Sequence, residues 1–465
     1  MDGTQLRADL LDLEPYDPDM RPVDVMLSAN ENNYGLPGPV REELLRRVAD
    51  EPLNRYPEAT APRVRALLAQ LWGVRPANVV VGNGGDELIF NLLLAFGGPG
   101  RALVNCPPTF SAYELYARLT MTPVIDVPRA ADFVVDEPAV LAAARRDDAA
   151  IVVLTSPNNP SGNLGRVGFV RELAQVSDAL IVVDEAYGEF CAPEASCMPL
   201  VAEFPNVCVL RTLSKAYALA GARMGYVVCG ERVADGLLAV RQPYSVSRLD
   251  QLAAEVVLER RAELRPAVEA VVAERARLTG LLRALAAELA GDADELAGLA
   301  GADGAAGLTD AGEASLQAGP RIEVFDSEAN FVLVRLPEPG PDAPAGAGAL
   351  PSADEVHERL AAASILVRNF SHTPGLEGCL RISVGRPEET DVLVARLREI
   401  LGLSPEPASQ AAPALAAMRG TPVDASAPAP GAVAPASPAA PAPGAAMSFA
   451  DAAPTGTPTA PTTRE

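Results

Sequence analysis

The chain has 465 residues and a formal net charge of -23, from 38 Lys plus Arg against 61 Asp plus Glu. At roughly 100 to 200 residues per domain this allows two or three domains with a sizeable core and excludes peptides and small disulfide scaffolds. The acidity, with no run of basic residues, excludes nucleic acid and anionic membrane surfaces as partners.

Met1–Asp19 is acidic and lacks the basic start and apolar centre of a signal peptide, and the chain holds no run of about 18 uncharged apolar residues. A cytoplasmic location is the expectation. From Val79 to Val228 short apolar runs alternate with helical patterns. VVVG (79–82), RALVNCPP (101–108), AIVVLTSPN (150–158), LIVVDEA (180–186), VCVLRTLSK (207–215) and MGYVVCG (224–230) read as strands buried on both faces. DELIFNLLLAF (86–96) and VGFVRELAQV (167–176) have helical periodicity, so the segment predicts a mostly parallel sheet covered by helices. Residues 251–289 predict one long helix kinked near Pro266. RIEVFDSEANFVLVRL (321–336) and CLRISVG (379–385) predict strands of a second, smaller domain.

Two Gly/Ala-rich stretches, about 291–319 and 337–352, read as surface insertions, and the Ala/Pro-rich residues 403–465 as a disordered tail. The expected division is an N-terminal arm with part of the small domain (1–50), a large domain (51–285), a small C-terminal domain with the insertions (286–402), and the tail (403–465). Six cysteines are scattered without CxxC spacing, which favours reduced thiols over disulfides or a zinc site, so no metal is expected. His357 and His372 are assigned no role.

Among the 38 basic residues, Lys215 is the one lysine. A coding bias toward arginine accounts for the depletion but not for the survivor. Arginine replaces lysine as a surface charge, yet its guanidinium stays protonated and cannot act as an amine nucleophile. Lys215 follows an apolar run, at the strand end where ligands gather in open α/β sheets, and Asn159 and Asp184 follow other such runs. A strand-end lysine after TLS is a candidate for covalent attachment of pyridoxal 5'-phosphate. That cofactor needs a buried carboxylate at its pyridine nitrogen, for which Asp184 is the candidate. Its phosphate needs N–H donors at a helix start, supplied by Gly84, Gly85 and Asp86 in VGNGGDELIF, and an arginine, for which Arg223 is placed.

SPNNPSG (156–162), DEAY (184–187), TLSKAYALAGARMG (212–225) and CLRISVG (379–385) together resemble the class I/II, fold-type I pyridoxal-phosphate aminotransferases. More narrowly, LSANENNYG (27–35), RYPE (55–58), CPPTFSAY (106–113), DEAYGEF (184–190), FDSEANFVL (325–333) and ILVRNF (365–370) stand in the order found in the histidinol-phosphate aminotransferase family. The resemblance covers about residues 24–402. It implies an α/β fold, with a large domain of mostly parallel sheet covered by helices and a smaller α/β domain.

The resemblance also implies roles. Lys215 holds the cofactor and moves the proton; Asp184 pairs with the ring nitrogen; Asn159 and Tyr187 bond the ring hydroxylate; Phe110 stacks on the ring. Gly84, Gly85, Asp86, Thr212, Ser214 and Arg223 surround the phosphate, and Tyr56 reaches the phosphate of a neighbouring subunit in a homodimer with shared active sites. Arg381 holds the carboxylate of glutamate or 2-oxoglutarate, while Tyr34, Asn330 and Arg368 are substrate-binding candidates, Tyr34 and Arg368 for a substrate phosphate. Two departures from the family are mild: Asn33 stands where proline is common before Tyr-Gly, and Ser161 where threonine is usual. The expected reaction is transfer of the amino group of L-histidinol phosphate to 2-oxoglutarate, in histidine biosynthesis. An aromatic amino-acid aminotransferase, a threonine-phosphate decarboxylase and a non-catalytic cofactor-binding protein would share the cofactor residues.

Overall fold

The computed structural model describes residues 7–13, 19, 21–291, 322–337 and 350–404. Most of both insertions and nearly all of the expected tail therefore lie outside the described residues. Twelve strands are described: β1 (Val25–Leu27), β2 (Val79–Asn83), β3 (Ala102–Asn105), β4 (Val124–Asp126), β5 (Ala149–Thr155), β6 (Leu180–Asp184), β7 (Val207–Thr212), β8 (Met224–Val228), β9 (Glu323–Val324), β10 (Phe331–Arg335), β11 (Ile365–Asn369) and β12 (Cys379–Ser383).

Seven of them form one sheet in the order β2-β8-β7-β6-β5-β3-β4. β4, β3, β5, β6 and β7 run parallel, and β8 is antiparallel to both β7 and β2. The continuous apolar runs are explained by burial on both faces, since successive side chains point to opposite sides. Val152, Leu154, Ile181, Val183, Val207 and Val209 join one core, which also takes Leu68, Phe169 and Val257 from covering helices. Ile151, Val153, Leu180, Val182, Cys208 and Leu210 join the core on the opposite face, closed by Leu88, Leu92 and Leu93 of the helix Gly84–Phe96.

The other five strands form a second sheet, β1-β11-β12-β10-β9, with β1 parallel to β11 and the remaining pairs antiparallel. Its core gathers Phe331, Val334, Val367 and Ile382 against Leu278 and Leu285 of one helix and Leu393 and Leu397 of another. β1 thus carries the N-terminal segment into the second sheet, whereas Val40, in the helix Gly38–Ala49, already packs in the core of the first. The chain crosses between the two cores before residue 40, ahead of the boundary expected at 50.

The expected kinked helix over 251–289 is instead two helices, Arg248–Glu259 and Arg265–Ala290, separated by a short turn at Arg261–Glu263. Pro266 lies in the first turn of the second helix, where its missing N–H would have had no helical partner. Ser247 and Asp250 close a reciprocal capping box at the start of the first.

Candidate active site

Register brings the polar strand ends into one line. Thr155 of β5 is level with Asp184 of β6, and Thr212 of β7 is level with Gly225 of β8, which also faces Gly82 of β2. A cavity of about 360 Å³ opens over this edge and is walled on its far side by β11 and β12. Lys215, Asp184, Asn159, Tyr187, Phe110, Gly85, Asp86, Thr212, Ser214, Arg223, Arg368 and Arg381 all line it.

Lys215 lies just beyond β7 with its Nζ donating to the Ala29 carbonyl at 3.0 Å. Burial, reinforced by the nearby Arg381 charge, lowers its ammonium to about 8, so the neutral amine is accessible near physiological pH. Asp184 ends β6 with one oxygen accepting the Tyr113 hydroxyl at 2.6 Å and the other the Ala186 N–H at 3.0 Å. Burial nevertheless raises its carboxyl to about 6, with no cationic partner at hand among the described residues to offset the lost hydration. Tyr187 is buried with its hydroxyl accepting from Asn30 Nδ2 at 3.0 Å, and burial raises its phenol. Phe110 meets Tyr113 edge to face, with ring centroids 5.7 Å apart.

At the other end of the cavity the helix Gly84–Phe96 begins without a side-chain cap; the Gly84 N–H, expected as a phosphate donor, is instead taken by the Arg223 carbonyl at 2.9 Å, which leaves the N–H groups of Gly85 and Asp86 for an anion. Gly84 adopts φ +77, and a Cβ there would lie 2.6 Å from Arg223 Nη2. A Cβ on Gly225 would lie 2.6 Å from the Gly84 carbonyl carbon and the Gly85 nitrogen. Both glycines therefore let β8, the helix start and the Arg223 guanidinium converge. Arg223 pairs with Asp86 at 2.7 Å, and the Ser214 N–H donates to Thr212 Oγ1 at 3.0 Å. A cup of main-chain donors, hydroxyls and one arginine, leading to a buried carboxylate and a low-pKa lysine, fits pyridoxal phosphate at each of its polar groups.

On the opposite wall Arg381 of β12 and Arg368 of β11 are direct cross-strand neighbours. Arg381 donates to Asn159 Oδ1 and to the Ser28 carbonyl. Arg368 has no acidic partner among the described residues, and its guanidinium stands 5.9 Å from the Phe370 ring centre, with Arg381 at 5.4 Å from the same ring.

Four residues expected at the site are not among those lining the cavity: Gly84, which shapes the helix start beside it, and three that lie elsewhere. Tyr34 packs beside the second core, its ring under the Arg386 guanidinium at 5.7 Å. Asn330 is buried and donates to the Asn30 carbonyl at 3.0 Å. Tyr56 is 84% exposed and stacks on Tyr244 with centroids 4.7 Å apart.

Other residues at the site had not been assigned a role from sequence. Tyr113 and Thr155 lie at Asp184, and Ser28, Ala29 and Asn30 each bond a site residue. Tyr113 stands three residues after Phe110, a helical spacing on the helix that follows, which is the signal that could have found it. Asn32 donates to the carbonyl of Ala216, next to Lys215, and Asn33 bonds Glu389.

The profile of the family aminotransferase class I and II matches residues 23–397. Histidinol-phosphate aminotransferase of Chlorobaculum tepidum is 33% identical over 377 residues, 81% of this chain and 94% of that protein. The enzyme of the same name from Thermobifida fusca is 36% identical, over 84% of this chain and 93% of its own length. Among solved structures, histidinol-phosphate aminotransferase from Sinorhizobium meliloti in complex with pyridoxal-5'-phosphate aligns with a TM-score of 0.70 at 24% identity, covering 86% of this chain and 98% of that one.

Proposed function

Because the chain belongs to the class I and II aminotransferases and is a pyridoxal-phosphate-dependent transaminase, we propose that its reaction is L-histidinol phosphate plus 2-oxoglutarate giving imidazole-acetol phosphate and L-glutamate, in histidine biosynthesis. The observation that carries the substrate reading is the Arg368–Arg381 pair. Like charges directly opposite on neighbouring strands repel, and Arg368 lacks an acidic partner among the described residues, so the cavity wall is built for anionic substrate groups. One arginine serves a carboxylate and the other a phosphate, matching an enzyme that alternates a phosphorylated amine with a dicarboxylate.

When bound, pyridoxal phosphate supplies an electron sink that stabilises negative charge at the substrate carbon bearing the amino group. The protein's own residues do the rest. The N–H groups at Gly85 and Asp86, with Ser214, Thr212 and Arg223, hold the phosphate. Asp184 keeps the ring nitrogen protonated, Asn159 and Tyr187 bond the ring hydroxylate, and Phe110 covers one ring face. Lys215, with its amine tuned to about 8, holds the cofactor and then carries a proton at Nζ to and from the reacting carbon.

We also read the exposed Tyr56–Tyr244 stack as part of a homodimer contact that completes the neighbouring site, and the two cores as a large and a small domain. No helix among the described residues is long and apolar enough to cross a membrane, and action in the cytoplasm is the proposed setting. The test is a donor panel of L-histidinol phosphate, phenylalanine and threonine phosphate with the cofactor-loaded full chain. Glutamate formation from 2-oxoglutarate with histidinol phosphate is expected. Turnover of phenylalanine alone, or CO2 release from threonine phosphate without 2-oxoglutarate, would overturn the assignment.

A further inference from the structure

Asn30 lies in the segment after β1 and reaches the cavity from behind Tyr187. Its backbone has φ +54, a left-handed conformation that asparagine tolerates better than most residues, and it is 1% exposed. Both ends of its backbone are held: the N–H donates to Ser383 Oγ at 2.9 Å, and the carbonyl accepts from Asn330 Nδ2 at 3.0 Å. Its side chain is held twice as well. Oδ1 lies 3.0 Å from Ser383 Oγ, and Nδ2 lies 3.0 Å from the Tyr187 hydroxyl.

The direction of these bonds follows from counting protons. Ser383 Oγ already accepts the Asn30 N–H, so its own proton needs an acceptor, and among the described residues Asn30 Oδ1 is the one in reach. Turning the amide over would place Nδ2 against Ser383 and leave a buried hydroxyl proton unsatisfied, at a cost of about 1–3 kcal/mol. With the amide fixed this way, Nδ2 donates to Tyr187. The tyrosine oxygen is an acceptor on that side, and its single proton is left to point elsewhere.

We propose that Asn30 is a positioning residue that fixes the direction of the Tyr187 hydroxyl, so that Tyr187 meets the cofactor's ring hydroxylate as a hydrogen-bond donor, with Ser383 and Asn330 as the anchors of Asn30. This rests on the reading that Tyr187 faces the ring hydroxylate. The donor favours the ionised ring oxygen and thereby lowers the pH at which the lysine-bound cofactor loses its proton. The charged groups around Tyr187 and Lys215 are Arg381, Asp184, Arg223, Asp86 and Glu31, all of which the test leaves in place.

The experiment is a pH titration of the visible absorbance of the cofactor-loaded full chain in four forms: wild type, Asn30→Asp, Tyr187→Phe and the double variant. A carboxylate at position 30 accepts the Tyr187 proton and reverses its direction. Tyr187→Phe should raise the midpoint by about one to two pH units, the loss of one hydrogen bond to a charged group. Asn30→Asp should raise it by a similar amount in the wild-type background and by less than half as much in the Tyr187→Phe background, where only the added charge acts. Equal steps in both backgrounds would overturn the proposal alone. An unmoved midpoint in Tyr187→Phe would overturn the placement of Tyr187 and the proposal with it. Ser383→Ala, which adds no charge, serves if Asn30→Asp does not fold: the midpoint should rise in the wild-type background and stay fixed in the Tyr187→Phe background, and no rise refutes the anchoring.

Discussion

Replacing Asp184 by asparagine should stabilise the cofactor-free protein at neutral pH while destroying its chemistry. Burial at the end of β6 raises this carboxyl from 3.8 to about 6, against the pull of Tyr113 and the Ala186 N–H. A raised folded-state value means that the folded chain keeps a proton the unfolded chain has released. The contribution is therefore fully present below 3.8 and is lost as pH rises through 6. Above that the charged carboxylate costs the fold about 3 kcal/mol, from roughly two pH units at 1.36 kcal/mol each. Asparagine removes the charge and keeps the bonds. Its Oδ1 takes the Ala186 N–H, its Nδ2 donates to Tyr113, and the Tyr113 proton turns to Thr155 Oγ1, 2.9 Å away.

Thermal unfolding of the two cofactor-free proteins between pH 4 and 8 is the assay. The midpoints should coincide near pH 4, and the variant should lie about 3–4 °C higher at pH 7.5, taking about 2.1 cal/mol/K per residue for the unfolding entropy. Adding pyridoxal phosphate should reverse the order, because the wild-type carboxylate then has a cationic ring nitrogen to pair with. A variant equal to or less stable than wild type at pH 7.5, or an offset that does not change with pH, would refute the reasoning.

Lys215→Ala should abolish the visible absorbance of the lysine-bound cofactor and lower turnover by at least about 10³-fold, with no recovery in Lys215→Arg, whose guanidinium stays protonated. Gly225→Ala drives a methyl into the Gly84–Gly85 backbone and should weaken cofactor binding about tenfold or more, read by equilibrium dialysis, at a cost of about 1–3 kcal/mol in stability. Arg211 pairs with Glu185 and Glu189 in the interior, with Trp72 stacked at 4.6 Å from its guanidinium carbon. Arg211→Met leaves two buried carboxylates without their cation and should cost about 3–5 kcal/mol in denaturant unfolding. Arg368→Leu should raise the KM for a phosphorylated donor about tenfold or more while the glutamate half-reaction keeps most of its rate, as measured by single-turnover absorbance.

Much of this protein was written along the chain. Unbroken apolar runs ending in a polar residue mark strands covered on both faces, so the position of Asp184, Asn159 and Lys215 at one sheet edge was legible without coordinates. The single lysine marked itself, because no arginine can perform amine chemistry. Pro266 marks a disturbance in the helical pattern over 251–289, but the expected kink is a break ahead of it with the proline in the first turn of a new helix, because whether a chain bends or breaks depends on what packs on either side.

Contacts between distant segments were decided only in three dimensions. Asn30 precedes Tyr187 by 157 residues and Ser383 by 353, and no periodicity links them, since their proximity follows from β1 entering the second sheet beside β11. The same holds for Asn330, which carries the expected polarity yet turns to the Asn30 carbonyl instead of the cavity, and for Tyr113, whose hydroxyl reaches Asp184 of β6 from the helix that follows β3, two strands away in the sheet. Local sequence determines which residues can do chemistry and which strand ends they occupy; the pairing and packing of the two sheets determine which donor faces which acceptor, because hydrogen bonds are satisfied by neighbours in space and not by neighbours in the chain.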